Sequence, residues 1–255
     1  MKVLGIGLAL AIAAVSFAQK GPTVVMPASD SLVGVTYASV PGAVFLPIDE
    51  LSEELGLVAD WDTRAKSYQV GTQIFKEKDV RNLFDGTPMI NVLALKGEGV
   101  EVEYDEAQKE ITIQSGTHFG VVTVGEQWVE VNLKAQRLRA YQGDRLVMET
   151  KISSGKKGSP TITGEFKTGP EKSKYRTSSL YNDAPMPFAI QVHGNYFIHG
   201  SSSVPNYPAS HGCVRMPLTG QNAARYFFEW VELGVPVSLR HGWSERVAEL
   251  DRSSD

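Results

Sequence analysis

The chain contains a single cysteine, Cys213, among its 255 residues, and this limits how its fold can be stabilised. One thiol cannot close an intramolecular disulfide, and it cannot build a structural zinc site from several cysteines. The fold must therefore depend on a buried apolar core. With 42% hydrophobic residues, the chain has the composition of an ordinary globular protein, and its length suits one large domain or two modest ones.

The charge balance excludes one large class of function. Lys and Arg total 25 against 29 Asp and Glu, which gives a net charge of −4. Proteins that bind nucleic acid non-specifically need a basic surface. We therefore expect no nucleic-acid partner.

Residues 1–18 have the pattern of a secretory signal peptide. Lys2 precedes an apolar run, and Ser16 and Ala18 put small residues where a signal peptidase cleaves. The run is too short to span a bilayer comfortably, and no cysteine follows it to carry a lipid anchor. The prediction is an exported protein of the periplasm or cell wall, with no transmembrane segment after cleavage. An uncleaved membrane anchor is the alternative.

Residues 19–114 are predicted to form a small α+β domain. In the stretch that begins at Asp49, Leu51 and Leu55 lie four apart on one helix face, and Gly56 is a natural helix end. Asp49 is the expected N-cap of this helix.

Two later stretches of this segment resemble each other. In 61–70 and again in 104–113, an aromatic-Asp pair precedes a Lys and an alternating strand. They predict an internal repeat with a period of about 43 residues, each copy being a helix or loop followed by a β-hairpin. Chance similarity is the alternative.

The segment of about residues 30–114 resembles the copper amine oxidase N-terminal-like domain of exported bacterial proteins. The resemblance rests on the stretch LPIDELSEELG and the WD, K and V that follow it. It implies a role in binding the wall or a partner. It does not imply copper, because the segment has no His and Met alone makes no ordinary copper site.

The remaining sequence predicts a second, mainly β domain at 126–240. Residues 115–125 break the periodicity and are predicted to be a linker. Strand patterns then surround a Gly- and Ser-rich loop, and one helix capped by Thr219 follows before a last strand. Residues 241–255 are expected to be a charged, partly disordered tail. The predicted fold class is mainly β with few helices.

The candidate chemistry lies around Cys213. The motif SHGCVR, residues 210–215, follows an IHG motif that contains His199. A thiol reacts as the thiolate, and a neighbouring imidazole can take its proton. Gly212 leaves room for a substrate backbone, and the N–H groups of Gly212 and Cys213 are expected to stabilise an oxyanion.

These motifs are similar to those of YkuD-type L,D-transpeptidase catalytic domains over about residues 126–240. The matching stretches are 198–200 and 208–217, supported by 153–156, 163–166 and 179–188. The resemblance implies a β-rich domain with Cys213 as nucleophile and His199 as base.

By the same resemblance, the Gly200 carbonyl orients His199, while His211 and Ser210 shape the turn around the nucleophile. Only ten residues separate His199 from Ser210, fewer than is usual in the family, so one lip of the cleft is expected to be short.

Four further residues are candidates for substrate contact. The Arg215 guanidinium can hold a substrate carboxylate, with a structural ion pair as an equal alternative. Tyr181, Met186 and Phe188 fall in the loop that borders the cleft in the family, where they either touch substrate or pack the loop.

The activity implied is acyl transfer in peptidoglycan, with tetrapeptide stems forming a thioester on Cys213. An amine then completes a 3–3 cross-link or attaches a wall-linked lipoprotein, and no metal or organic cofactor is needed. If water resolves the thioester, the protein is an L,D-carboxypeptidase or peptidoglycan hydrolase.

Two rival functions remain open at this point. One is a metal-dependent hydrolase that uses His193, His199 and His211 as ligands, and the other is a non-catalytic wall-binding protein. His193 lies in an alternating strand and is interpreted as structural.

Overall fold

The structure is a computed structural model that describes residues 31–97 and 99–253. The predicted signal peptide, residues 1–18, lies outside the described residues. The chain is mostly β-strand with few helices, so the predicted fold class is confirmed. Within the described ranges, no helix is both long and apolar enough to cross a lipid bilayer.

The first half of the described chain forms two sheets and one α-helix. Its elements are β1 (Leu32–Tyr37), β2 (Val40–Pro47), α1 (Ile48–Leu55), β3 (Ala59–Asp62), β4 (Ser67–Val70), β5 (Gln73–Lys76), β6 (Arg81–Asn82), β7 (Pro88–Asn91), β8 (Glu101–Asp105), β9 (Glu110–Ser115) and β10 (His118–Val124), with short 3-10 helices at Glu77–Asp79 and Val92–Leu95. Seven strands make one sheet in the order β6-β7-β2-β1-β10-β9-β8, and β3 to β5 make a separate three-stranded sheet.

Helix α1 buries Leu51 and Leu55 against the larger sheet, as their spacing predicts. Gly56 ends it in the left-handed conformation, with φ 61°. The N-cap prediction was wrong by two residues: Pro47 occupies that position, and Asp49 lies in the first turn, where its charge complements the helix dipole.

The two similar stretches share one turn. In each copy, the Asp side chain accepts hydrogen bonds from the backbone N–H groups two and three residues later in the chain. The Lys that follows these residues has a positive φ. The bonds run from Arg64 and Ala65 to Asp62 and from Ala107 and Gln108 to Asp105, and the positive φ values belong to Lys66 and Lys109. Helix α1 precedes the first copy and the 3-10 helix Val92–Leu95 precedes the second.

The predicted linker, 115–125, is instead part of the larger sheet. Strand β10 lies between β1, with which it runs parallel, and β9, with which it is antiparallel. Gly116, which suggested a break, has φ 58° and belongs to the hairpin turn between β9 and β10. Only Gly125 and Glu126 separate β10 from the next strand.

The second half begins there and contains two further sheets. Its elements are β11 (Gln127–Asn132), β12 (Arg137–Gln142), β13 (Arg145–Lys151), β14 (Gly164–Lys167), β15 (Lys172–Ser178), β16 (Ala184–His193), β17 (Tyr196–Ser201), β18 (Val214–Pro217), α2 (Ala223–Trp230), β19 (Pro236–Arg240) and α3 (Glu245–Ser253). The sheet orders are β13-β12-β11-β19-β14 and β15-β16-β17-β18. Side chains from both sheets and from α2 form one core.

The two halves of the described chain share that core. Val35 and Tyr37 of β1 are buried in the same cluster as Phe227 and Trp230 of α2. A bidentate ion pair joins Arg145 of β13 to the carboxylate of Glu50 in α1.

Two terminal predictions for this half were wrong. Helix α2 is capped by the Asn222 side chain, which accepts a hydrogen bond from the Arg225 N–H, and not by Thr219. The predicted disordered tail contains α3, whose Val247 is fully buried in a cluster with Trp128 and Tyr141.

Candidate active site

Strands β17 and β18 bring the two proposed reactive side chains together. They run parallel, with His199 opposite Arg215. Because side chains alternate along a strand, Phe197 shares the face of His199, and Cys213, just before β18, shares the face of Arg215. All four line one cavity of about 460 Å³.

His199 is buried and has a defined tautomer. Its Nδ1 lies 2.9 Å from the Gly200 carbonyl oxygen, and only an N–H can donate to a carbonyl. Nε2 is therefore left without a proton and can accept one. Burial lowers the pKa of His199 to about 4, against the effect of the Gly200 hydrogen bond and with the help of the Arg215 charge. The imidazole is neutral at neutral pH.

The Cys213 thiol is also neutral at rest. Burial raises its pKa, although a hydrogen bond from the Phe197 backbone and the charges of Arg215 and Arg176 act in the opposite direction. The thiol donates to the Asn195 carbonyl, with Sγ and O separated by 3.6 Å. The sequence led us to expect a thiolate, but the structure favours an uncharged thiol and an uncharged imidazole.

Gly200 has a packing role besides its carbonyl. A Cβ at this position would lie 2.4 Å from Leu218 Cδ2 and 3.1 Å from the Ala224 Cβ. Leu218 and the first turn of α2 therefore pack against the strand that carries His199 and leave little room for a side chain at Gly200.

The turn at Ser210–Cys213 is held by its own serine. The buried Ser210 hydroxyl donates to the Cys213 carbonyl at 2.5 Å and accepts from the Gly212 N–H at 3.1 Å. The predicted oxyanion role of the Gly212 N–H is thus wrong, because that group is already used. In the described part of the chain, the Cys213 N–H has no such acceptor.

A second loop, residues 153–161, fixes this turn from outside. The Ser154 carbonyl accepts the N–H groups of Ala209 and Ser210, both at 2.9 Å. The Thr161 hydroxyl accepts from the Gly155 N–H at 2.8 Å and donates to the Gly212 carbonyl at 2.6 Å. Sequence reasoning missed Thr161.

Comparison with protein families identifies this half of the chain. Residues 126–239 match the family model of YkuD, the L,D-transpeptidase catalytic domain. This stretch is a YkuD L,D-transpeptidase catalytic domain. The resemblance of residues 30–114 to a copper amine oxidase N-terminal-like domain stays a prediction.

Solved structures give further similarities. An L,D-transpeptidase from Xylanimonas cellulosilytica DSM 15894 has 29% identity and a TM-score of 0.41 over 46% of this chain and 61% of that chain. An L,D-transpeptidase (Yku) from Stackebrandtia nassauensis has 22% identity and a TM-score of 0.41 over 45% and 55%. One from Mycobacterium smegmatis has 17% identity and a TM-score of 0.41 over 81% and 98%. The chain thus spans less than two thirds of the first two. No curated protein matches.

His211 lies at the rim of the YkuD cavity. Its ring stacks on Tyr181, with centroids 4.5 Å apart. Lys156 donates to its Nε2 at 3.0 Å. Both contacts hold His211 as part of the cavity wall. The sequence analysis included Lys156 in the 153–156 match but assigned it no contact with His211.

Met186 and Phe188 differ in where they point. Met186 lines the YkuD cavity. Phe188 does not: it has φ 55° and falls between the Ala189 and Pro187 pairings with β15, which turns its ring towards Phe228 of α2. Of the two roles considered for Phe188, packing fits this position, because its positive φ takes it out of the regular pairing with β15 and its ring lies against Phe228.

The histidine set of the metal-dependent hydrolase is not assembled. His193 is exposed, lies against Phe166 and does not line the cavity that contains His199 and His211. In the ranges that the structure describes, no three His, Cys, Asp or Glu side chains are grouped to hold a metal ion.

Two arginines line the YkuD cavity. Arg215 has no ion-pair partner in the described part of the chain, so the structural ion pair considered for it is not formed there. Arg176 of β15 pairs with Glu171 and lies over the Phe197 ring, 4.2 Å from its centroid. Sequence reasoning missed Arg176, although the alternating basic residues of β15 were a usable signal.

Proposed function

We propose that the protein is an exported cysteine L,D-transpeptidase that acts on peptidoglycan stem peptides through a thioester on Cys213. The observation that carries the proposal is the position of Cys213 and His199 on one sheet face, in one cavity, with the His199 tautomer fixed by Gly200. The YkuD match over 126–239 supports the reaction class.

The proposed first step is acylation. The Cys213 sulfur attacks the carbonyl between diaminopimelate and the terminal D-Ala, while the unprotonated Nε2 of His199 takes the thiol proton. A neutral resting pair suits this order, since the proton leaves as the S–C bond forms. The Cys213 N–H is the backbone donor available for the oxyanion.

The intermediate then divides into leaving group and thioester. The C–N bond breaks, and the imidazolium returns its proton to the departing D-Ala amine. An amine of a second stem attacks the thioester, which releases the Cys213 sulfur and forms a 3–3 cross-link. An amine of a wall-linked lipoprotein gives protein attachment by the same step, and water gives carboxypeptidase activity.

The decisive experiment is acylation by a carbapenem, followed by intact mass and peptide mapping. We expect one adduct, on Cys213, and none in Cys213→Ala. His193→Ala is the matched histidine control and should acylate at the wild-type rate, because His193 lies outside the cavity. An unmodified wild-type protein, or an adduct elsewhere, would contradict the nucleophile assignment.

The acceptor is tested with a purified disaccharide-tetrapeptide. Mass spectrometry should detect a 3–3 linked dimer together with released D-Ala. Tripeptide without dimer would favour the L,D-carboxypeptidase. A Cys213 adduct without any release of D-Ala would instead favour a wall-binding protein.

Export is proposed from residues 1–18 alone. Expression in a bacterium with the full chain should give a protein outside the cytoplasm whose first residue is Gln19. Retention of Met1 in a membrane fraction would support the uncleaved anchor instead.

A further inference from the structure

We propose that Arg176, together with Arg215, forms a carboxylate-binding subsite beside Cys213 that recognises the free C-terminal carboxylate of the residue that leaves the donor peptide. This inference rests on the proposed function, because it names what the same cavity selects. It makes Arg176 a residue that determines specificity for a peptide ending one residue beyond the bond that is broken.

The first argument is charge. The guanidinium groups of Arg176 and Arg215 line the cavity, and none of the described residues that line it is Asp or Glu. The carboxylate of Glu171, which pairs with Arg176, is not part of the lining. A cavity with cationic groups and no acid in its wall favours an anionic ligand.

The second argument is position. The Arg176 guanidinium reaches across β16 and lies over the Phe197 ring of β17. Phe197 belongs to the small cluster against which Cys213 packs, and neighbouring strands are about 4.8 Å apart. The Arg176 guanidinium is therefore placed one strand spacing from the strand that follows Cys213. Arg215 lies two residues after Cys213 and on the same face.

The third argument is that donor capacity is left over. Glu171 engages Nη1 of Arg176, and no second hydrogen bond of this guanidinium is formed within the described residues. Its Nε–H is enclosed by the protein, so the donors left for a ligand are those of the two terminal nitrogens. The ion pair and the Phe197 ring hold the Arg176 side chain in place, so it is oriented before a ligand arrives. No carboxylate among the described residues pairs with Arg215.

The length of the ligand follows from this placement. The carboxylate of a single departing residue is separated from the attacked carbonyl by one nitrogen and one Cα. That short span matches a cation adjacent to the sulfur. A peptide extended by one more residue carries its carboxylate farther away and replaces the near one with a neutral amide.

The subsite is tested first without any peptide. Iodoacetate and iodoacetamide both alkylate a thiol: an S–C bond forms, iodide leaves, and the thiol proton passes to His199. Only iodoacetate carries a carboxylate. The measured quantity is the rate constant for iodoacetate divided by that for iodoacetamide, normalised to the same ratio for free cysteine. We expect this normalised ratio to fall about tenfold in Arg176→Met.

The matched control is Arg240→Met. Arg240 also pairs with a glutamate, Glu165, but it does not line the cavity. It should leave the alkylation ratio unchanged. If Arg176→Met does not fold, Arg176→Lys and Arg215→Met are tested instead. Arg176→Lys should lower the alkylation ratio only in part, because lysine keeps the positive charge but lacks the planar guanidinium. An unchanged ratio in the cavity variants, or an equal fall in Arg240→Met, would overturn the proposal.

The second arm uses a tetrapeptide stem and its C-terminal amide. We expect wild type to prefer the acid, mainly through a lower KM, and Arg176→Met to lose about tenfold of that preference. If wild type turns over the acid and the amide with equal KM, the proposed carboxylate-binding subsite is contradicted. An alkylation ratio that behaves as expected, with neither peptide turned over, contradicts the proposed function and leaves the anion site standing.

Discussion

The two sides of the cavity are built differently. On one side, residues 153–161 and 209–213, which we call the brace, are joined by backbone hydrogen bonds and by the Ser210 and Thr161 hydroxyls. On the other side, residues 178–187, which we call the lip, expose Leu180 and Tyr181, at 61% and 43% of their surfaces. Within the described residues, the lip reaches the brace through Tyr181 against His211.

The difference separates two tasks. The proposed nucleophile, Cys213, lies on the brace, where a displacement of about 1 Å can cost a hundredfold in rate. The lip contributes area beside the substrate and contacts the brace through Tyr181. We therefore expect changes in the brace to lower the acylation rate and changes in the lip to alter substrate affinity.

The largest effect is expected at the base itself. His199→Ala should lower carbapenem acylation by about 10³-fold, because the thiol proton loses its acceptor. In wild type the rate should stay flat as the pH falls from 8 and drop only near pH 4, where the imidazole of pKa about 4 becomes protonated. A midpoint near 6.5 would contradict the buried neutral imidazole.

Gly212→Ala should lower acylation by about a hundredfold. Gly212 has φ +119°, and a Cβ there would lie 3.0 Å from Tyr196 Cε1, so the turn that carries Cys213 must shift. Gly220→Ala is the control: it has φ +65° with nothing within 4 Å, so it should destabilise the fold without slowing acylation. Equal acylation rates in Gly212→Ala and Gly220→Ala would show that the shape of the turn at Cys213 does not control acylation.

Thr161→Val should reduce the free energy of unfolding by about 2 kcal/mol and acylation by about tenfold. The change leaves the Gly155 N–H and the Gly212 carbonyl without their shared partner. Thr161→Ser keeps the hydroxyl and should retain most of both. Urea unfolding and the acylation rate measure the effects, and a stable, fully active valine variant would show that the brace does not need this bridge.

The smallest effect belongs to the lip. Tyr181→Ala should raise the KM for a stem peptide about threefold, with little change in unfolding free energy, since it removes one exposed ring contact. Tyr181→Phe keeps the ring on His211 and should behave as wild type. A fall in kcat larger than that of Thr161→Val would reverse the assigned roles of lip and brace.

Local chemistry was readable from the sequence. The SHGC and IHG motifs predicted that Cys213 and His199 act together, and the structure places both in one cavity. The sequence also identified Gly56 as a helix end. What the sequence hid depends on partners far along the chain. The Thr161 hydroxyl donates to the Gly212 carbonyl, 51 residues away in the chain, and Arg176 lies over Phe197 on the far side of β16.

Long-range pairing also explains the two errors in organisation. The turn at Gly116 has the composition of a linker, but β10 is fixed by strands β1 and β9 on either side. The charged C-terminal segment has few apolar residues, yet Val247 finds a site beside the stacked Trp128 and Tyr141 rings. Arg246 lies over Trp128, 4.2 Å from that ring.

The short passage from β10 into β11 has a consequence for orientation. At Gly125 the backbone comes so near Gly143 that an added Cβ would lie 2.4 Å from its Cα. With two residues between the strands, the first half cannot swivel while the second stays still. A surface that binds the first half would therefore also set the direction in which the mouth of the cavity faces.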